Sequence, residues 1–478
     1  MKIDSAVLAL ERKIFLTRGN GMVMIGVLFV AVLLAGWSGA LWRDARVASL
    51  DAVEAEGLES LGQWRQALAD IESGAKEAET YDARPVSIAF PAVLRPSSLG
   101  DFAVGHSELQ PANGEISPWR NAGTIFRRYQ FDNPTMLAAG RFDLALIAVL
   151  LLPVLMIAVS FEVLARDRAR GTLAMIMSHP VSLARLVWLR LLLRNGLLLA
   201  AALLGMIVVL IAFHGGGDRY GRFALWAGVL VAYWAVWVGL IACCVARFRG
   251  PTGTAAALVA LWLLLVIALP ASVDTVAEAA YPTPSRLAYL SEIRRGQVQT
   301  NRALDELTGE FLVDHPELTV GDEGLPAYIR ASFLANEMAR ERAAPIVEAY
   351  ERAWSGRART LQFAQLLSPA IVAQRAFSIV AGDDIDRQHR FQRQASDALD
   401  HLAEVAGPAI VSRNRLSLAQ FDALEPFTFQ ERTVSELMRA IAWPVLLLAL
   451  VGALLWRASN RLFARAEKEL AGAGGPRR

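Results

Sequence analysis

Six uninterrupted apolar runs constrain this chain more than any other feature of its sequence. The hydrocarbon core of a bilayer is about 30 Å thick, and a helix of roughly 20 apolar residues crosses it. Lipid offers the peptide backbone no hydrogen-bond partner, so each run must be a helix. The runs, called spans 1 to 6, cover residues 21–42, 144–163, 191–213, 223–245, 254–273 and 438–456. The sequence therefore predicts a mostly α, polytopic membrane protein with six transmembrane helices.

Basic residues near the ends of the spans predict their orientation. Arg and Lys gather before span 1, between spans 2 and 3, between spans 4 and 5, and after span 6. If the spans alternate in direction, all four groups lie on one side of the membrane. Basic residues are enriched in cytoplasmic loops. We therefore expect both termini in the cytoplasm, with residues 457–478 forming a cytoplasmic tail.

Two long insertions fall on the opposite side of the membrane in this topology. The first, residues 43–141, opens with a helical pattern and becomes rich in Pro, Ser and Gly across residues 85–119. The second, residues 274–437, contains one helical pattern after another, with apolar residues at helical spacing. We expect a largely helical extracytoplasmic domain built from both insertions.

Several classes of chemistry are missing from the sequence. A phosphate-binding P-loop needs Gly-Lys followed by Ser or Thr, and none of the lysines follows a glycine. HExxH, CxxC and GxSxG are also absent. The centres of the spans hold no Asp, Glu, Lys or His, which argues against a proton-coupled carrier. A net charge of +2 gives no reason to expect nucleic acid as a partner. We predict a chain that is not an enzyme and binds no cofactor of its own.

One acidic group invites a metal-site hypothesis, because Asp383, Asp384, Asp386 and His389 lie close together in the sequence. Carboxylates are also favoured in the first turn of a helix, where they complement the helix dipole. We interpret the group as the start of a helix and predict no metal site.

A short segment between spans 2 and 3, within residues 164–190, raises the functional question. Gly171 breaks the preceding helix and Thr172 can cap a new one. Leu173, Ile176 and Met177 then share one helix face, and Pro180 ends the helix. The residues alone leave two interpretations open. The segment either transmits the movement of a docked protein to both spans, or lies as an interfacial helix among lipid headgroups.

The sequence around this segment, "RDRARGTLAMIMSHPVSLARLVWLRLL", resembles the signature that follows the second span in ABC-2 type permeases. Asp167 stands where the family more often has Glu, and Arg190 where it often has Lys. Three further stretches are similar to the subgroup with two large extracytoplasmic insertions, described as permeases related to multicopper-enzyme maturation. They are "FAVGHSELQP", "FDNPTMLAAGRFDLALIAVLLLPVLMIAVSFEVLARD" and "LLSPAIVAQRAFSIVAGDDIDRQHRFQRQ".

The resemblance implies a membrane subunit of an ATP-binding-cassette exporter in a bacterial inner membrane. A separate ATPase subunit would bind ATP and Mg²⁺, and a second copy or a related permease would complete the membrane part. Residues 1–20 resemble the family's elbow helix, which lies along the inner leaflet. The residues that would couple to the ATPase are Asp167, Arg170, Gly171, Thr172, Leu173, Ile176, Met177, Ser178 and Pro180.

Three functions remain open from the sequence. The first is export of an amphipathic or lipid-like substrate. The second is mechanotransmission, in which the ATPase drives the outer domain against a periplasmic partner and nothing crosses the bilayer. The third is a membrane sensor or assembly scaffold that works without an ATPase.

Overall fold

The computed structural model describes residues 9–18, 20–77, 79, 82–105, 111–118, 125–126, 142–177, 182–213, 217–281, 366–412 and 414–473, with isolated residues between 291 and 356. The described part is mostly α-helical. Six of its helices are long and apolar enough to cross a membrane, which confirms the predicted fold class. These helices are Gly21–Glu72, Leu144–Ala169, Leu183–Ala212, Arg219–Arg247, Pro251–Ala280 and Val434–Ala473.

The helices are α1 (residues 9–18, ending in the π-helix Ile14–Arg18), α2 (Gly21–Glu72), α3 (Leu144–Ala169), α4 (Thr172–Met177), α5 (Leu183–Ala212), α6 (Arg219–Arg247), α7 (Pro251–Ala280), α8 (Pro369–Ala381), α9 (Ile385–Val411), α10 (Leu418–Asp422) and α11 (Val434–Ala473). The strands β1 (Phe90–Val93) and β2 (Asn113–Ile116) form an antiparallel ribbon in which Phe90 lies opposite Ile116.

Three helices extend beyond the predicted spans. Helix α2 runs without a break for 52 residues, about 78 Å at 1.5 Å per residue, although the sequence predicts that span 1 ends at residue 42. Helix α11 continues to Ala473, so residues 457–473 of the predicted tail are helical, and Phe463 is fully buried. Helix α5 begins at Leu183, well before the predicted start of span 3, and Ser182 caps it. Hydropathy marks the apolar part of a helix, whereas the hydrogen-bond ladder continues through polar residues.

The described residues form two hydrophobic cores. The bundle core lies among the six long helices and α8. The distal core lies beyond one end of the bundle and joins the two insertions. Its largest members are Leu50, Leu61, Trp64 and Leu68 of α2, Ile88 and Phe90 near the ribbon, Phe391, Leu399, Leu402 and Ile410 of α9, and Phe421 of α10. We call this end of the bundle the domain side, and the end with α1 and α4 the terminus side.

Helix α3 contains a π-helix, Ile147–Leu151, just before Pro153. Proline has no N–H, so the carbonyl four residues earlier, that of Val149, loses its usual helical donor. The hydroxyl of Tyr233 in α6 donates to that carbonyl oxygen at 3.0 Å, and Trp262 Nε1 in α7 donates to the Leu150 carbonyl oxygen at 3.3 Å. Neighbouring helices thus donate to two carbonyl groups of the irregular stretch, and one of these, that of Val149, has lost its helical donor to Pro153.

We predict that Tyr233→Phe destabilises the bundle. The substitution leaves the Val149 carbonyl without its donor in a fully buried site, and an unsatisfied buried acceptor costs about 1–3 kcal/mol. The midpoint of thermal unfolding in detergent should fall. Tyr220→Phe is the matched control, because Tyr220 is 68% exposed at the start of α6. Equal midpoints for the two variants would contradict the assignment.

Candidate functional site

The segment predicted to couple to an ATPase lies on the terminus side, at the end of α3. A turn at residues 161–164 interrupts α3, and Ala165–Ala169 form its last helical stretch. Gly171 then adopts φ +70°, a left-handed conformation that glycine accepts without steric cost. This residue reverses the chain into α4, which spans Thr172–Met177. We call residues 165–177 the coupling segment.

Two arginines of α5 satisfy the backbone of the interrupted helix. Arg194 Nη1 donates to the Val159 carbonyl oxygen at 2.8 Å, and Arg190 Nη1 donates to the Val163 carbonyl oxygen at 3.0 Å. Carbonyl groups at the end of a helix carry partial negative charge, so cations are favoured there. The turn at 161–164 is therefore held to α5.

Two carboxylates complete this arrangement. Arg190 pairs with Asp167, and its Nε lies 3.4 Å from a carboxylate oxygen of Glu11 in α1. Arg194 Nε donates to the other Glu11 oxygen at 2.8 Å. The side chains of all four residues are between 6% and 19% exposed. We call Glu11, Asp167, Arg190 and Arg194 the terminus-side network, which joins α1, α5 and the coupling segment with balanced charge.

Asp167 and Arg190 belong to the family signature, whereas the pairing of Arg190 and Arg194 with Glu11 was not predicted. Arg190 and Arg194 are four residues apart on a helix, so they share a face. Two arginines on one face of an apolar helix require anionic partners. That requirement could have directed attention to Glu11, whose helix was predicted only as an interfacial element.

The predicted docking face is not exposed as expected. Leu173 is only 4% exposed and belongs to the bundle core, Met177 packs against that core, and Ile176 is half-buried. Among the coupling-segment residues whose burial is described, Arg166, Ala169, Arg170, Gly171 and Met175 are exposed, and Met175 is 70% exposed. The apolar face was assigned to a partner because sequence spacing shows which residues share a face but not what that face contacts.

Thr172, Ser178 and Pro180 are the other residues predicted to couple to an ATPase. The hydroxyl of Thr172 donates to the backbone carbonyl oxygen of Asp167 at 3.3 Å, so it closes the turn around Gly171. Ser178 and Pro180 lie outside the described residues. The signature residues Asp167 and Arg190, 23 positions apart, are brought together as an ion pair.

Further contacts connect the coupling segment to the rest of the terminus side. Arg168 Nη1 donates to the Phe248 carbonyl oxygen at 3.1 Å, at the junction of α6 and α7. Asn195 Nδ2 donates to Ser160 Oγ at 2.9 Å, a buried hydrogen bond between α5 and α3. A displacement of the segment would therefore be passed to several long helices.

The acidic group of the second insertion lies on the domain side. Asp384 is the N-cap of α9, where its carboxylate accepts the Arg387 backbone N–H at 3.0 Å. Burial raises the pKa of Asp384 to about 6. Within the described part of the chain, no group of three His, Cys, Asp or Glu side chains is arranged to hold a metal ion.

Comparison with known proteins gives one match. A family model described as a domain of unknown function (DUF3526) matches residues 286–430, which is less than half of the chain. No curated protein and no solved structure matches the chain. The described end of the matched region, including α9 and α10, packs in the distal core against residues of the first insertion. The matched region therefore contains only part of that core.

We predict that Glu11→Gln lowers the stability of the protein substantially. Glu11 is buried and pairs with two arginines that are 13% and 16% exposed, and removing one partner of a buried ion pair costs up to about 3–5 kcal/mol. The measurement is the denaturation midpoint in detergent or nanodiscs. The control is Glu469→Gln, which breaks the exposed Arg249–Glu469 pair and should cost no more than about 1 kcal/mol. Similar losses for both variants would show that the network is not a special support.

Proposed function

We propose that this chain is the membrane subunit of an ABC-2 type transporter in a bacterial inner membrane, with its terminus side facing the cytoplasm. A separate ATP-binding subunit docks on the coupling segment, and a second copy of the chain or a related permease completes the assembly. The proposal is supported by the family signature at residues 166–192. It rests above all on the terminus-side network, because Arg190 connects the signature residue Asp167 to the backbone of α3 and to Glu11.

The terminus-side network supports a specific path by which movement of a docked partner reaches the membrane helices. The turn at Arg170 and Gly171 is exposed, as is Met175 in α4, so a partner can contact the segment there. The ATP-binding subunit binds ATP and Mg²⁺, hydrolyses the nucleotide and displaces this turn. Because the buried ion pairs join the segment to α1 and α5, the helices move together. The chain needs no nucleotide site of its own in this scheme.

A second candidate, mechanotransmission, is favoured by one observation. Helix α2 packs in the bundle core through Leu28 and Val32, and in the distal core through Leu61 and Leu68, without a break between them. A continuous helix passes a tilt at one end directly to the other end. In this scheme the distal core moves against a periplasmic partner, and no substrate crosses the bilayer.

Docking can be tested at the exposed turn without disturbing the bundle. We expect the double substitution Arg170→Glu and Met175→Glu to reduce permease-stimulated ATP hydrolysis by at least about tenfold, since central interface residues contribute about 2 kcal/mol or more. The control is Arg465→Glu with Lys468→Glu, which are also exposed on the terminus side. Unchanged stimulation in the first variant would contradict docking at this turn. If no ATP-binding subunit co-purifies with the unmodified protein, an ATPase-independent sensor or scaffold is the better description.

Transport and mechanotransmission can be separated by breaking α2 between the two cores. We expect a Gly-Ser-Gly-Ser insertion after Ala48 to abolish an ATP-dependent change in the distance between spin labels at Lys13 and Gln66, both of which are exposed. ATP hydrolysis should continue. The same insertion at Gly74, a turn beyond the end of α2, is the control. Accumulation of a substrate in inverted vesicles despite the insertion after Ala48 would favour transport.

A further inference from the structure

A short segment of the first insertion enters the domain-side end of the bundle. We call residues 97–104, which follow β1, the wedge. Its side chains are almost completely buried: Leu99, Asp101, Phe102 and Val104 are each 0% exposed. Leu99, Phe102 and Ala103 belong to the bundle core rather than to the distal core of their own insertion. The wedge therefore occupies space between the ends of the membrane helices.

The wedge contacts α2 and the start of α3 through its backbone. It passes so close to α2 that a Cβ at Gly39 would overlap the Asp101 carbonyl oxygen. The Ala145 N–H of α3 donates to the Phe102 carbonyl oxygen at 3.1 Å. The Asp143 carboxylate, which caps α3, accepts the Val104 N–H at 3.0 Å.

The wedge also contacts α6, and α6 in turn packs against α8. The terminal nitrogens Nη1 and Nη2 of Arg219, at the start of α6, each donate to one oxygen of the Asp101 carboxylate at 2.7 Å, and the two side chains are 2% and 0% exposed. The Phe102 ring packs edge-on against Trp226 at 5.4 Å. Trp226 in turn packs on Phe377 of α8 at 4.3 Å. Helix α8 has 13 residues, which is too few to cross the bilayer. Its contact with Trp226 places it at the same end of the bundle as the wedge.

We propose that the wedge is a gate that closes the domain-side end of the bundle and that the Arg219–Asp101 ion pair holds it closed. A permanently fixed segment would gain more from apolar side chains, because the desolvation of a buried ion pair offsets much of its attraction. Both groups recover hydration when the wedge moves out, so opening costs less free energy than the ion-pair attraction alone would require. The gate is a property of this chain alone and does not depend on an ATP-binding subunit.

The test measures access to a cysteine at Ala103, which is 1% exposed. The full chain, with Cys243→Ala and Cys244→Ala, is placed in nanodiscs and treated with a membrane-impermeant maleimide. Labelling at position 103 should be slow in the parent protein. It should accelerate by at least about tenfold in Asp101→Asn, since each factor of ten corresponds to about 1.4 kcal/mol removed from the closed state. The charge-exchanged pair Asp101→Arg with Arg219→Asp should restore protection.

A second reporter cysteine at Ala395, which is fully buried in the distal core, distinguishes opening from unfolding. It should stay protected in Asp101→Asn. Equal acceleration at positions 103 and 395 would show that the ion pair serves only overall stability, which overturns the gate. Unchanged labelling at position 103 would also overturn it. The control is Asp422→Asn, which breaks the exposed Arg65–Asp422 pair and should change neither rate.

Discussion

The structure depends on one constraint: a backbone carbonyl inside a membrane helix must find a donor within the protein. Helix α3 is the least regular of the long helices described, and each of its irregular places is met by a side chain from a neighbour. Tyr233 and Trp262 donate beside the π-helix, and Arg190 and Arg194 donate at the turn near the terminus side. Unsatisfied polar groups are costly in an apolar environment. Irregular backbone in α3 therefore fixes where α5, α6 and α7 must lie.

Both insertions contribute residues to both hydrophobic cores. Each contributes to the distal core, and each also sends a buried element, the wedge or α8, into the bundle core. The domain of unknown function matched at residues 286–430 is consequently intertwined with residues that precede it by some two hundred positions or more, such as Leu61. Movement of the membrane helices and movement of the distal core are physically linked through α2 and through the wedge.

The candidate site shows where sequence reasoning succeeded and where it failed. Gly171 was identified as the break because a left-handed turn favours glycine whatever the surroundings. Leu173, which was predicted to face a partner, contacts the bundle core, whereas Met175, which was not predicted, is exposed. Glu11 was missed because its two partners lie about 180 positions away. Ion pairs between distant segments leave no periodic pattern in a sequence.

The sequence by itself determined the number of membrane helices and the mostly α fold, because hydropathy and the need for internal hydrogen bonds are local properties of a run of residues. Only the tertiary structure decided which buried charges meet, how far α2 and α11 continue beyond the apolar runs, and that the wedge enters the bundle. These outcomes depend on packing between segments distant in the chain. Such packing is set by shape and by charge balance in three dimensions.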